Sequence, residues 1–533
     1  LTQRKTQTAA YWQKQFTVGK KDIEFLLNHI LESTRLFTLD ELATVLVKQH
    51  CEAEEAATRK ELQRGELYQP KNSYQAGDQL VFPTLEFALG TVISTRAGYH
   101  PDYETFSVLT VEIENEKDPR EFVAEFRQPE VLNIGDESSL AGMQGLLTPA
   151  DLFKANRSAI RNKMQAALDN HDQFVNFYEQ YFLKDLLTEF HEGLFNIVDA
   201  AIDINQTPLG VDQLISEMGL NDDQEITDVL RFSVNYRLAE DSRFHDVGPK
   251  GQVRWYLERL EPPEVHQLPV RLQPTNGQTY NSENFDDEIL ELITDIDDET
   301  SNPEDIAPSD LDVNQVTLTL IYPHWRAGSL PITPKTEPLF PISHYNPVMF
   351  NFVDGRTGDT FPGWVVYNQS YIFGLREWYQ KNNLPVGAYI TLKRTDDPMN
   401  IVIDYKVTRN QRDWIREVQA LGQRLTFQMN PQPINCKYDD LMIISDPFPE
   451  TIDKLWSEAE TKNLSLYHIL GSIFPELSKL NPQSTVHFKT LYSAVNILRR
   501  FSPGLVYAEL NKHECFIPMN HGYWTFDPSL VEK

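Results

Sequence analysis

From residue 272 to residue 325 the chain carries no lysine or arginine, and between Glu283 and Asp312 it packs in thirteen carboxylates. That density of like charge, with Ser, Asn and Pro toward its end, buries too little apolar surface to offset chain entropy. The stretch 272–313 is therefore expected to be a mobile acidic linker between two folded halves. Within it Phe285, Ile289, Leu290, Leu292, Ile293 and Ile296 form an apolar set suited to a short helix, docked on a partner or on the protein itself. The rest of the chain must supply every core.

At 533 residues the chain is too long for one core, and domains of about 100–200 residues predict three to five units. The longest apolar runs, such as Val313–Tyr322, fall far short of the roughly 18 residues that span a bilayer, so no membrane partner is expected. The opening LTQRKTQTAAYWQKQF has basic residues but no apolar core of a secretory signal. Because the chain opens on Leu1 and not Met, residues before it are read as removed or not included. Cys51, Cys436 and Cys515 are sparse and odd in number, which fits free thiols and a cytoplasmic location.

A net charge of −30 disfavours coating nucleic acid by bulk electrostatics. The charge is uneven, however. From Arg326 to Asn430 there are twelve Lys/Arg against nine Asp/Glu, so any contact with a phosphate backbone is expected there.

Along the chain the expected class is α+β and multidomain, with winged-helix-like helical modules and two small β-barrel domains. Residues 1–70 read as three helices and a short strand, with a capping box from Thr38 to Glu41 and Gly65 closing the third helix. The order is compatible with a winged helix, and a plain three-helix unit fits these residues at least as well. Residues 71–135 hold the short β-rich runs Leu80–Phe82, Gly90–Ser94, Phe106–Ile113 and Phe122–Phe126. The segment GDQLVFPTLEFALGTVIS looks like the opening of an SH3-like barrel of transcription-associated proteins.

Residues 149–265 read as helical, with a long amphipathic stretch from Pro149 to Ile204 that suits either a domain core or a dimer interface. Thr207-Pro208 is expected to open a helix ending at Gly219, followed by a helix over about 222–238. A hairpin then turns at Gly248-Pro249-Lys250-Gly251. Residues 193–262 resemble the helix-turn-helix module of the acidic delta subunit of bacterial RNA polymerase. The resemblance implies contact with a transcription machine. Asp222, Asp223, Glu225 and Asp228 beside Arg231, Asn235 and Arg237 favour protein contact over DNA for this module.

In residues 314–430 the strands Val316–Tyr322, Val348–Val353, Gly363–Tyr367, Ile390–Lys393 and Ile401–Tyr405 surround one helix bearing Leu375, Trp378 and Tyr379. The run VDGRTGDTFPGWVV, followed by GLREWYQKNNLPVGAYITLKR, resembles the plant-type B3 DNA-binding pseudobarrel. Gly374, Trp378, Asn383, Leu384, Gly387 and Ile390 hold the places of its pattern, while Ala388 departs from an acidic position. The resemblance implies base reading from the open barrel face, where Arg356, Arg376, Lys393 and Arg394 are the nearest basic residues; solvated surface charge is the alternative. Beyond it, RNQRDWIREVQALGQR reads as a helix placing Arg409, Arg412 and Arg416 on one face, with partial pairing to Asp413 and Glu417 as the alternative. Residues 431–533 read as a helical, winged-helix-like module with a hairpin at Asn520-His521-Gly522, a layout like that of 193–257.

No phosphate loop, dinucleotide fingerprint or zinc-protease motif is present, and no cofactor or metal is expected. His513, Cys515 and His521 are too few for a structural zinc. Asp404-Tyr405-Lys406 after Asp396 and Asp397 is a weak nuclease-like pattern. The leading expectation is a non-enzymatic protein contacting double-stranded DNA, RNA polymerase or another DNA-bound protein. Two alternatives stand beside it: an acidic protein-binding scaffold without DNA contact, and a Mg²⁺-dependent nuclease or defence component using Asp397, Asp404 and Lys406.

Overall fold

The computed structural model describes residues 4–85, 87–103, 105–127, 146–220, 225–275, 279–283, 285–302, 314–341 and 345–531. The end of the expected barrel (128–135), the start of the expected helix at 222–224 and the linker residues 303–313 lie outside these. The chain has both helices and several sheets and forms two units. One is Leu1–Phe190 with Gln224–Arg237, and the other is His191–Asp223 with Leu238–Lys533. Among the described residues no helix is long and apolar enough to cross a membrane.

The first unit opens with α1 (Lys20–Ser33), β1 (Phe37–Thr38) and α2 (Leu39–Leu62). The Thr38 hydroxyl accepts the Glu41 N–H at 3.2 Å and the Glu41 carboxylate accepts the Thr38 N–H at 2.8 Å, so the capping box is formed. The expected second and third helices are one helix, because no Gly or Pro interrupts residues 47–62. Gly65 serves a different purpose from the one expected. A Cβ there would lie 2.5 Å from the Gln79 carbonyl oxygen, so glycine permits the close parallel pairing of β2 (Glu66–Leu67) with β3 (Gln79–Phe82).

With β4 (Ala88–Ala97), β5 (Ser107–Ile113) and β6 (Arg120–Ala124) these strands make a five-stranded sheet in chain order. Tyr68, Phe82, Val92, Leu109 and Val111 fill its core. Then come α3 (Pro149–Asp169), β7 (Phe174–Phe177) and β8 (Gln180–Leu183), with β8 lying between β1 and β7. The stretch from Pro149 to Ile204 is thus not continuously helical. In FVNFYEQYFL the aromatic residues form a hairpin that buries Phe174, Tyr181 and Phe182 against Trp12, Phe16 and Ile160.

The second unit begins with α4 (Glu192–Asn205), β9 (Leu209–Gly210) and α5 (Val211–Glu217). Thr207-Pro208 does not open the helix; Gly210 does, its N–H held by Gln213 Oε1 at 3.1 Å. Next in the chain is α6 (Asp228–Ala239), whose residues 228–237 group with the first unit. There Phe232 packs edge-on to Phe182 at 6.0 Å. β10 (Phe244–Asp246) and β11 (Arg254–Leu257) complete a sheet of order β10-β11-β9.

The expected linker is folded where it is described. Helix α7 (Asp287–Ile296) buries Ile289, Ile293 and Ile296 in the core of the second unit. The carboxylates that follow are buried and paired. Arg500 grips Asp298 through two bonds of 2.6 and 2.7 Å and reaches Glu299 at 2.8 Å. His324 binds Glu299 at 2.9 Å, and Thr333 donates to Asp297 at 3.0 Å. Charge density predicted mobility because the countercharges come from elsewhere in the chain.

The next elements form one seven-stranded sheet. They are β12 (Gln315–Thr319), α8 (Tyr322–Ala327), β13 (Ser329–Pro331), β14 (Val348–Asp354), β15 (Thr360–Val366), β16 (Tyr371–Phe373), α9 (Arg376–Lys381), β17 (Tyr389–Arg394) and β18 (Asn400–Tyr405). The strand order is β12-β17-β18-β14-β15-β16-β13, with β14 and β18 parallel. Residues 320–322 thus leave the expected first strand and turn into α8, while β13 and β16 were not foreseen. Leu375, Trp378 and Tyr379 seat α9 on the sheet's core.

β19 (Val407–Leu421) and β20 (Arg424–Cys436) follow as a long ribbon with β21 (Ile444–Ser445). The chain ends with α10 (Pro449–Thr461), α11 (Leu466–Ser478), β22 (Val486–His487), α12 (Phe488–Leu498), α13 (Pro503–Lys512), β23 (Phe516–Pro518) and β24 (Tyr523–Phe526).

One order of elements occurs three times: helix, short strand, two helices, two strands. It runs through α1–β8, with the five-stranded sheet inserted, through α4–β11, and through α11–β24. Each time the last strand lies between the other two, as β1-β8-β7, β9-β11-β10 and β22-β24-β23.

Candidate nucleic-acid interface

The basic run expected as a helix is strand β19, antiparallel to β20 from Gln411↔Ile434 to Leu421↔Arg424. Ile415 and Val418 mimic a helical spacing, but the partner segment FQMNPQPINC contains Pro431 and Pro433 and cannot be helical. A two-residue loop joins the strands. Its first residue, Gly422, has φ +62°, a conformation that favours glycine in tight hairpins. The two prolines also suit β20, because it is an edge strand and each removes a donor that would recruit a further strand.

Strand geometry regroups the three arginines. Alternation puts Arg412, Trp414 and Arg416 on one face, facing Pro433, Pro431 and Met429 across the ribbon. Arg416 is turned inward and donates to the Asp440 carbonyl. Burial pushes its guanidinium pKa down to about 10, so it serves the fold. The side chains of Arg409 and Arg412 are exposed and, among the described residues, make no hydrogen bond or ion pair.

The ribbon is the basic element of an acidic chain. Residues 405–438 hold six Lys/Arg and two Asp/Glu, and both acids are engaged. The Asp413 carboxylate accepts the Tyr438 hydroxyl at 2.9 Å. Glu417 accepts the side-chain amides of Gln419 at 2.8 Å, Gln428 at 3.1 Å and Gln432 at 2.9 Å. Burial would push the Glu417 pKa up, but side-chain hydrogen bonding from Asn430, then from these three glutamines, to the charged form brings it below its ordinary value.

The other basic residues do not form one patch. Lys393 and Arg394 are exposed at one end of β17, where Arg394 faces Ile401 of β18. Arg356 lies at the far end of β18, its guanidinium carbon 5.1 Å from the Tyr405 ring centre. Four strand residues, about 13 Å, separate the two places. Arg376 spans the end of α8, donating to the carbonyls of Arg326 at 2.9 Å and Ala327 at 3.3 Å. Arg326 itself binds Asp453. Both arginines line a cleft of ≈ 780 Å³ that also includes Tyr379, Leu384, Pro433 and Asp446, but neither is free.

The positions of the B3-like pattern carry backbone or core roles. Gly374 and Gly387 have φ of +104° and +92°, and Asn383 has +51°. Leu384 and Ile390 are buried. The Trp378 indole donates to Asp354 at 2.9 Å. That carboxylate also accepts the N–H groups of Arg356 at 2.8 Å and Thr357 at 3.2 Å, which shapes the β14–β15 turn. Burial opposes its ionisation, yet these bonds hold its pKa below the ordinary value.

Two enzymatic or metal readings lack geometry. Asp397 shapes the turn before β18, accepting from Met399 and Asn400 at 2.9 Å each. Asp404 stands at the opposite end of that strand, so the two carboxylates do not converge. Cys515 is buried, His513 binds Glu509 at 3.3 Å, and His521 is 90 % exposed. Among the described residues no group of three or more His, Cys, Asp and Glu is placed to hold a metal ion.

The last repeat does not present its third helix and hairpin freely. Tyr280 covers Gly504 at the start of α13, and Phe285 packs edge-on to Tyr507 at 4.7 Å. A Cβ at Gly522, in the β23–β24 turn, would meet Leu292 at 2.9 Å. Comparison of the chain with protein-family models, curated proteins and solved structures finds no match.

Proposed function

We propose that this is a non-enzymatic DNA-binding or transcription-machinery-associated protein whose contact with nucleic acid is made by the β19–β20 ribbon. The observation that carries the reading is the charge reversal: six basic residues against two engaged acids over 405–438, in a chain of −30. Binding to a phosphate backbone is driven by such local charge, and a two-stranded ribbon is one of the shapes a major groove admits. Arg409 and Arg412 are exposed cations of the ribbon, with Lys406, Arg424 and Lys437 also exposed along it; Lys393 and Arg394 would form a second, separate contact.

Two features support the wider reading. The seven-stranded sheet that leads into the ribbon, with Trp378, Asn383 and Gly387 fixing the turns around α9, suits a B3-like pseudobarrel. The helix–strand–helix–helix–hairpin order is that of winged-helix modules, and its threefold use suits a protein that docks on a DNA-bound machine. The five-stranded sheet of the first unit suits the SH3-like barrel of the same protein class.

The test is fluorescence anisotropy of the full chain with random duplex DNA across a salt series. Wild type is expected to bind with affinity falling steeply as salt rises. Arg409→Glu with Arg412→Glu should reduce the affinity at least tenfold and flatten the salt slope by about two. Duplex affinity unchanged by the double reversal, or absent at low salt, would leave the scaffold reading in its place.

A further inference from the structure

Trp414 is 67 % exposed in the middle of the paired part of β19. It makes no ring contact among the described residues. A tryptophan on an open strand face normally packs on a cross-strand neighbour or is replaced by a smaller residue. Here its neighbour across the ribbon is Pro431, with Arg412 two residues away on the same face and Pro433 opposite that arginine. Arg416 on the other side is drawn inward to Asp440, which leaves the indole face open between unpaired guanidinium and solvent. No acidic residue occurs between Glu417 and Asp439, so β20 adds no negative charge to this surface.

We propose that Trp414 is a stacking platform for an unpaired base of single-stranded nucleic acid, with Arg412, on the same face, holding a flanking phosphate. The proposal rests on the reading that the ribbon meets nucleic acid, and names the form of nucleic acid it would prefer. An exposed indole has nothing to stack on in a closed duplex, where base faces are occupied. A splayed or unpaired strand offers a π-face of any sequence, and combining that stack with basic residues along the backbone is how single strands are gripped without sequence reading. The charge of the surface commits the occupant: a partner protein would have to be strongly acidic to match it.

The experiment uses the full chain and two fluorescein-labelled probes at one low salt concentration, a 15-nucleotide oligo(dT) strand and a duplex of equal length. Trp414→Ala is expected to weaken binding of the single strand about 5- to 150-fold, the range for losing one base stack, and to change duplex binding less than twofold. Trp414→Phe should recover part of the lost affinity. Because the side chain is mostly exposed, thermal melting of Trp414→Ala should match wild type, separating lost contact from lost fold. If wild type binds the duplex and Trp414→Ala leaves single-strand affinity unchanged, the stacking proposal is overturned while the ribbon reading stands. If wild type binds neither probe, the ribbon reading falls and this one falls with it.

Discussion

Removing the guanidinium of Arg500 should release the acidic segment from the second unit. Arg500 is 2 % exposed as a side chain, Asp298 is fully buried and Glu299 is 6 % exposed. Arg500 supplies two bonds to Asp298, one to Glu299 and one of 3.1 Å to Asn496. What then remains for the two carboxylates is the Tyr492 hydroxyl on Asp298, the local bonds from Thr300, and His324 on Glu299. Arg500→Met keeps volume but leaves two buried negative charges short of a partner. Breaking such a pair from one side costs about 3–5 kcal/mol, against about 0–1 kcal/mol for a surface pair.

A chain of several units has no single unfolding free energy, so the measurement must be local. Native-state hydrogen exchange of the α7 amides reports it, and the expected loss of protection is about two to four decades. Lys462→Met, which removes an exposed pair with Glu458, is the control and should change little. Replacing Asp298→Asn and Glu299→Gln in the Arg500→Met background should restore part of the protection, because the penalty is the uncompensated charge. Raising salt should not mimic Arg500→Met, since buried pairs are poorly screened. A loss of protection below tenfold in Arg500→Met would refute the view that this cluster anchors the segment.

Two further predictions concern the second unit. His487 caps α12 by accepting the Lys489 N–H at 3.1 Å, and burial, aided by the cation of Lys489, lowers its pKa to about 4 from the ordinary 6.5. The unfolded chain therefore takes up a proton between those values that the folded chain refuses, so stability should fall as pH drops from about 6.5 to 4. Native-state hydrogen exchange of the α12 amides in His487→Asn, which keeps a cap, should lose that pH dependence, about 3 kcal/mol across the window. Gly387, at φ +92° with a Cβ position only 2.8 Å from the Ile443 Cα, should not tolerate alanine. Gly387→Ala is expected to cost about 1–3 kcal/mol of local stability in native-state hydrogen exchange of the β17 amides, and unchanged protection would show that the turn relaxes freely.

Much of the seven-stranded sheet was legible because β14, β17 and β18 alternate or run apolar between turn residues, as in VMFNFVD and NIVIDY. The short α8, β13 and β16 were not, since three to six residues carry too little periodicity. The ribbon was misread for a definite reason. Ile415 and Val418 are spaced three apart because they belong to opposite faces that enter different cores, and such a two-faced strand imitates a helix. Its partner strand held the correcting signal, in Gly422-Gln423 and the two prolines. Trp414 stood out only once the strand was known, since in a helix it would have joined the apolar face.

The apolar set of the acidic segment was legible as a short helix docked on the protein itself, but the charged residues around it were misread as a mobile linker, because composition is local while charge compensation is not. Lys489 takes Asp295 and Asp439, Arg500 takes Asp298 and Glu299, and Lys335 approaches Asp297 at 3.7 Å. Those cations come from about 40 to 200 residues further along the chain, beyond any window over which charge density is read. The consequence reaches function. Carboxylates held in this way are not free to compete with phosphate for basic surfaces, and the residues before them cover α13 and the β23–β24 turn of the last repeat. That repeat is therefore occupied by its own chain at the very elements a winged helix would offer to DNA. Under the proposed function, contact with nucleic acid would fall to the ribbon, where Arg409 and Arg412 have no carboxylate partner among the described residues, and to the separate pair Lys393 and Arg394.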